Sequence, residues 1–547
     1  MSGPLSVPLS VPLSVRANER VPGWDGTQLA LDVHLPPPDT WPVPAVVTRT
    51  PYGRSGHLAE GAGWRRRGFA YVVQDVRGRY DSDGTWRPYH NERGDGAALA
   101  DWILKQPWSD GRLVTYGGSY AGHTAWALAA ERPDAVRAVV SMGPSMALGR
   151  TKFERSGILR LAEHAAWWLE RAGGRTSRDG LTAHVFRECP DLLDHLPVLE
   201  LADRLGARLP GWAQVVTDGP ERRAEGPDVA ELEQLPAAAL HIGGWYDLLV
   251  DEVLEHFHRA GAALNPRPAR ALVVGPWGHD LAYAPGTRIG DREHGPASRI
   301  DLGALQVDWL ERVLGGVGTG RGSSEVQVFT VGADRWWSGT SWPPPVTEAV
   351  WHAHPDGTLA PVAPASGGEA EFRYDPADPY PSRQPGADRA ALAGRRDAVR
   401  FTSAPLDAPV TVAGSPVVVL DAATSAPATD WIVRWSELTA DGRLFELAHG
   451  SLDTGRTPGP GPHTIGLGPV AVTVPAGSRL QLEVTSSDFP RLARSLGSGE
   501  DRCTGTAYSV AEQTVRTRPV DGTRLILPRA MPTPTPMPTP MPEEAAE

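Results

Sequence analysis

The chain has 547 residues and a net charge of −12, with 41% of its residues hydrophobic and 22% charged. That length exceeds what one hydrophobic core supports, and the composition excludes wholesale disorder, so a protein of several folded domains is expected. Positive charge is almost all arginine, with Lys105 and Lys152 the only lysines, and dispersed arginines on an acidic chain exclude nucleic acid and an anionic membrane as partners.

Cys189 and Cys503 are the only cysteines, too few for a disulfide framework or a cysteine zinc cluster. The N-terminus MSGPLSVPLSVPLSV lacks the basic and continuous apolar segments of a signal peptide, so residues 1–18 are read as a loose tail. No apolar run approaches the roughly 20 residues that span a bilayer, and a cytoplasmic location is expected.

Residues 19–146 alternate β-branched runs with helical stretches, the pattern of a mainly parallel sheet covered by helices. The strands are expected at Ala45 to Arg49, Ala70 to Gln74, Arg112 to Tyr116 and Val136 to Met142. Residues 147–234 read as an inserted helical cap, with Leu161, Ala165, Trp168 and Leu169 at helical spacing within Ile158 to Arg171. The core resumes over 235–320, with strands at Ala238 to Ile242 and Ala271 to Val274 and a helix from Leu302 to Leu314. Residues 321–530 carry short alternating strands, such as Leu480 to Val484, and turns such as Asp441-Gly442, which predict an all-β domain. The proline-rich 531–547 is a second tail.

The segment Leu113-Val-Thr-Tyr-Gly-Gly-Ser-Tyr-Ala-Gly-His runs from an apolar strand through a glycine-rich turn into an alanine-rich stretch that stops before Pro133. That is the context of a nucleophile elbow, which lifts a serine hydroxyl above a sheet while the next amide, here that of Tyr120, faces the developing oxyanion. Ser119 is the candidate nucleophile, and Gly117 and Gly122 leave room for strand and helix to meet. A glycine-turn serine alone is also a common helix cap. The fold demands an acid and then a histidine on later strand-end loops. Asp247, in Ala238-Ala-Leu-His-Ile-Gly-Gly-Trp-Tyr-Asp247, and His279, in Ala271-Leu-Val-Val-Gly-Pro-Trp-Gly-His279, supply them in that order.

Gly117 to Gly122, Gly244-Trp-Tyr-Asp247 and Gly275-Pro-Trp-Gly-His279 resemble the triad motifs of the cocaine esterase and X-Pro dipeptidyl-peptidase family. Thr50-Pro-Tyr52-Gly, Gln74-Asp-Val-Arg-Gly78, Gly332-Ala-Asp-Arg-Trp336, Tyr374 to Pro379 and Thr485 to Pro490 extend the likeness along nearly the whole chain. The resemblance implies an α/β-hydrolase core with an inserted helical cap and a C-terminal all-β jelly-roll domain. It also implies that the Tyr52 hydroxyl completes an oxyanion hole with the Tyr120 amide.

The carboxylates of Gln74 to Gly84 lack the spacing of an EF-hand loop and read as an ion-paired turn; no metal and no cofactor is expected. Trp168, Trp245 and Leu249, with Trp167 and Leu248, are candidates to line an apolar site for a small-molecule ester or amide. Relatives carry an aromatic two residues after the acid, or carboxylates there that hold an ammonium; this chain has Leu249 and Val250. Gly386 to Gly394 is shortened against the family's esterase. A carboxylic ester hydrolase is therefore expected. The alternatives are an X-Pro dipeptidyl aminopeptidase, an acyltransferase, or a carbohydrate-binding protein with a degenerate hydrolase body. The sequence specifies no oligomeric state.

Overall fold

Runs such as Val43 to Thr50 and Val136 to Pro144 are rich in β-branched residues and buried on both faces, which is what the middle of a helix-covered parallel sheet requires. The computed structural model describes residues 14–205, 209, 211–221, 226–279, 286–315, 322–455 and 461–530. The tail expected at 531–547 lies outside the described residues, as does 1–13 of the N-terminal one. The strand β1 (Val15–Pro22) begins inside the stretch read as tail, because its backbone pairs antiparallel with β2 (Gln28–His34) and the Asn18 amide donates to Asp32 Oδ1 at 2.7 Å.

The strands β3 (Val43–Thr50), β4 (Ala70–Asp75), β5 (Ser109–Ser119), β6 (Val136–Pro144), β7 (Ala238–Gly244) and β8 (Arg270–Gly275) follow. Their order is β1-β2-β4-β3-β5-β6-β7-β8, and every pair from β4 to β8 is parallel. All the loops that leave β3, β5, β7 and β8 therefore open at one edge of the sheet, where open α/β sheets place their sites.

The helices α1 (Leu58–Arg66), α2 (Glu92–Leu104) and α3 (Tyr120–Glu131) belong to the first part of the core. Among the described residues six short helices make the cap: α4 (Leu148–Thr151), α5 (Leu161–Trp167), α6 (Leu181–Glu188), α7 (Leu201–Arg204), α8 (Trp212–Asp218) and α9 (Val229–Glu233). The helix expected from Ile158 starts at Leu161, and beyond Trp167 it widens into a π-type turn, Trp168–Ala172. The cap has its own apolar cluster, including Leu161, Trp168, Trp212 and Val215, which continues without a break into Val76, Tyr89 and Tyr120 of the core. The helix α10 (Val250–Arg259) follows β7, and α11 (Leu302–Gly315) follows a small hairpin, β9 (Arg288–Ile289) with β10 (Arg292–Glu293).

Two strands within the stretch read as the β domain finish the core sheet instead. β11 (Ser324–Thr330) pairs parallel with β8, and β12 (Arg335–Gly339) closes the edge antiparallel to β11. The remaining strands form the β domain around a core that includes Phe372, Phe401, Trp431, Trp435, Val484 and Leu527. The Asp441-Gly442 turn joins Asp430–Leu438 to Leu444–Asp453 as a hairpin. The strand Arg479–Thr485 does not alternate: Leu480 to Thr485 are buried throughout, because one face enters the apolar core and the other carries Glu483 into a buried ion cluster. No helix among the described residues is long and apolar enough to cross a membrane.

Candidate active site

Ser119 ends β5 and precedes α3 with φ 54° and ψ −125°, a conformation costing a non-glycine residue on the order of 1–3 kcal/mol and held only where the surroundings enforce it. They do so here by close approach. A Cβ on Gly117 would stand 2.4 Å from the Ala121 carbonyl oxygen, and one on Gly122 would stand 2.9 Å from Pro144 Cα. The Ser145 amide donates to Ser119 O at 3.0 Å. The Tyr120 amide is the first of α3 and lies at its positive end.

The Tyr120 side chain turns away from the site. Its hydroxyl donates to Glu92 Oε1 at 2.7 Å and accepts the Tyr89 amide at 2.7 Å. Burial, with Glu92 beside it, pushes this phenol well above its ordinary pKa, so Tyr120 offers the site an amide rather than a hydroxyl. Glu92 is held in turn by Arg49, 3.1 Å away. Sequence reasoning passed over Glu92, for a carboxylate in the first turn of a helix is unremarkable until its buried partners are seen.

Asp247 follows β7, and its side chain is wholly buried. Its Oδ1 accepts the Leu249 amide at 2.9 Å and faces His279 Nδ1 at 3.0 Å, while Oδ2 has no partner among the described residues. The loops carrying the two groups are laced together: Trp245 N donates to Gly275 O at 2.9 Å and Tyr246 N to Trp277 O at 3.0 Å. Such an approach needs glycine at 244, where a Cβ would lie 2.2 Å from Trp277 O. The His279 side chain is 40% exposed. A buried carboxylate on one imidazole nitrogen fixes the tautomer of the ring.

Tyr52 follows β3, the strand beside β5. Its carbonyl accepts the Tyr80 hydroxyl at 2.8 Å, and its own hydroxyl receives the Trp167 indole N–H at a long 3.5 Å. Of the candidate pocket residues, Leu249 lies at the start of α10, only 2% exposed, and Trp168 is a cap-core residue, 1% exposed. Trp245 is held at the seam with the β domain, its indole donating to Phe329 O at 2.7 Å and its ring 5.4 Å from that of Trp342. Trp167, rather than Trp168 or Trp245, reaches Tyr52. The Gly386 to Gly394 stretch packs on the β9–β10 hairpin, with Asp291 N donating to Gly386 O and Asp388 N to Asp291 Oδ2, each at 3.0 Å. Asp75 and Asp81, in the turn read as ion-paired, both pair with Arg54.

The family model described as X-Pro dipeptidyl-peptidase (S15 family) matches residues 25–280, and that of the X-Pro dipeptidyl-peptidase C-terminal non-catalytic domain matches 319–526. The cocaine esterase of Rhodococcus sp. (strain MB1 Bresler) is 29% identical over 88% of this chain and 92% of its own length. Among solved structures, an aminopeptidase from a marine sediment archaeon, Thaumarchaeota archaeon, superposes with a TM-score of 0.79 over 95% of this chain and 97% of its own, at 21% identity. An α-amino acid ester hydrolase superposes with a TM-score of 0.77 over 96% of this chain and all of its own, also at 21% identity. These two likenesses establish the fold that the two family models span.

Proposed function

This chain belongs to the cocaine esterase and X-Pro dipeptidyl-peptidase family of α/β-hydrolases, and from that premise we propose that it cleaves a carboxylic ester of a small molecule through an acyl-enzyme on Ser119. As a serine hydrolase it acts on ester or amide bonds. The observation that carries the residue assignment is the buried Asp247 carboxylate 3.0 Å from His279 Nδ1, on loops that leave the same sheet edge as Ser119.

In this reading His279 Nε2 takes the proton of Ser119 as Oγ attacks the carbonyl carbon, and Asp247 stabilises the imidazolium that results. The carbonyl oxygen becomes an oxyanion facing the Tyr120 amide and the Tyr52 hydroxyl. The tetrahedral adduct collapses by expelling the alcohol, which receives its proton from His279. Water, deprotonated by the same imidazole, then releases the acid and restores Ser119.

An ester is favoured over a substrate with a free amine because the carboxylates after Asp247 are already engaged. Glu252 Oε2 accepts the Met146 amide at 3.0 Å, and Asp251 pairs with Arg155 at 2.9 Å. Leu249 and Val250 stand where an ammonium would need an acid. The deciding experiment is fluorophosphonate labelling with a panel of short-chain chromogenic esters, on wild type and Ser119→Ala. Labelling and turnover are expected from wild type alone, with kcat about a millionfold lower in the variant; equal turnover by both sinks the mechanism. Release of an X-Pro dipeptide from an Ala-Pro amide faster than ester cleavage would establish the aminopeptidase instead.

A further inference from the structure

One of the chain's two lysines is buried against Trp167, the residue that reaches Tyr52. Lys152 is 5% exposed and follows α4. Two connections tie this segment to the site, one through the preceding Thr151 and one through the lysine itself. On one side, Thr151 Oγ1 and Ser145 Oγ lie 2.7 Å apart, and the Ser145 amide holds Ser119 O. On the other, Lys152 Nζ stands 4.7 Å from the centre of the Trp167 ring, whose indole N–H reaches the Tyr52 hydroxyl. The ammonium thus lies on the ring that reaches the tyrosine proposed to receive the oxyanion, and the residue before it in the chain is tied to the serine loop.

A buried ammonium needs acceptors for three donors, or it sheds its charge. Among the described residues Lys152 Nζ donates no hydrogen bond and has no carboxylate within 4 Å. Burial pulls its pKa down to about 7, against the attraction of Glu163 and with the repulsion of Arg160. Neither neighbour completes it. Arg160 is committed to Glu154 Oε1 at 2.9 Å and to Thr151 O at 3.0 Å. Glu163 lies one helical turn before Trp167 on α5, and its Oε2 has no partner among the described residues. His164, the remaining titratable group nearby, is held neutral by burial and stacks on Trp212 with ring centres 4.5 Å apart. The cation–π contact with Trp167 holds the ammonium in place yet leaves its hydrogen-bonding capacity open.

We propose that Lys152 is the specificity-determining residue of this pocket and that the acyl group carried to Ser119 ends in a carboxylate, as in the hemiester of a dicarboxylic acid. The substrate's distal carboxylate supplies the acceptors that the fold withholds, and Trp167 flanks the intervening methylenes. This deepens the esterase reading and rests on it, since it names the acid whose ester Ser119 opens.

The test compares three p-nitrophenyl esters of matched length: hemisuccinate, butyrate, and the ammonium-terminated 3-aminopropanoate. Wild type should favour the hemisuccinate over butyrate by about tenfold or more in kcat/KM. Lys152→Met should bring that ratio to about one or below, with Lys152→Arg keeping part of it. A ratio measured on one preparation is indifferent to how much of a variant folds. Above pH ~7 the wild-type ratio should fall as the Lys152 ammonium loses its proton, while any pH dependence of the chemical step, common to both esters, cancels. A wild-type ratio of one, with turnover of both esters lost in Ser119→Ala, overturns the lysine assignment and leaves the esterase standing. Preference for the aminopropanoate, abolished by Glu163→Gln, overturns it in favour of an amine site at Glu163. If no ester is turned over, the esterase reading fails, and monomethyl succinate binding by calorimetry judges Lys152 alone: binding lost in Lys152→Met upholds it, and no binding to wild type rejects it.

Discussion

The catalytic loops and the β domain both bury charge, and they treat it in opposite ways. Among the described residues Asp247 is enclosed with one histidine and one amide, and its Oδ2 is left without a partner. Arg434 of the β domain, equally enclosed, is ringed by Glu483 at 3.1 Å, Glu446 at 3.2 Å and Asp488 at 2.5 Å. Arg400 and the Tyr380 hydroxyl add donors to Glu483 at 2.9 and 2.7 Å. Burial opposes the charge on Arg434; the three carboxylates outweigh it and hold its pKa above the ordinary value. A charge ringed by opposite charges stabilises a fold, whereas one with a single charged neighbour still has interaction energy to give a passing imidazolium.

That difference is broken most directly at Asp247. Asp247→Asn keeps the shape and removes the charge, so its effect should fall on rate: kcat lower by about 10⁴, some 5.5 kcal/mol of transition-state stabilisation. The thermal midpoint should move little. Steady-state kinetics normalised to folded protein, beside a melting curve, separate the two quantities. A large loss of stability with kcat nearly unchanged would make Asp247 another structural ion and dissolve the contrast.

The converse substitution is Arg434→Met. Removing the cation leaves Glu483, Glu446 and Asp488 enclosed with fewer partners, and breaking such a buried set costs about 3–5 kcal/mol. The melting midpoint should fall by several degrees, while kcat per fluorophosphonate-reactive serine stays within a factor of about three. The pH dependence carries a sign. Burial opposes the charge on Glu446 and Asp488, but the surrounding arginines, with His449 beside Glu446, hold both carboxyls below their usual range. Their stabilisation is therefore full above the unfolded carboxylate values near pH 4 and is lost as pH falls through the lower folded values. In Arg434→Met that acid transition should begin at higher pH, which urea unfolding across pH 3–6 measures.

Seen against these two sites, what the sequence disclosed follows the range of the interactions involved. Ser119, Asp247 and His279 each lie at the end of an apolar strand in a glycine-bearing turn, so local pattern and chain order single them out as candidates. The core strands were equally visible, because buried parallel strands read as unbroken apolar runs. The motif residues Asp334 and Asp488 turned out to hold structure: Asp334 accepts the Gly332 amide at 3.1 Å, and Asp488 pairs with Arg434. Trp245, Trp167 and Lys152 could not be placed, since each owes its position to a segment distant in sequence: Trp245 to Phe329, Trp167 to Tyr52, Lys152 to Trp167. The assignment of β11 and β12 failed for the same reason, as a strand's own residues do not say which sheet edge it will join. A spacing pattern reports a residue's own element and is silent about the one packed on it.

Exposure, the variable that separates both buried sites from the surface, is isolated by a third ion pair with good geometry. Arg312 on α11 approaches Glu325 on β11 with two nearly parallel hydrogen bonds of 2.9 and 3.2 Å, the side chains being 42% and 36% exposed. If alignment set the worth of a charge pair, this one would rival Arg434. Water screens it and both side chains must be ordered to form it, so Glu325→Gln should cost under about 1 kcal/mol and less still at high salt. Melting curves at low and at molar salt measure both quantities. A loss as large as that of Arg434→Met, persisting in molar salt, would show that alignment rather than enclosure divides the charges that hold this fold from those that decorate it.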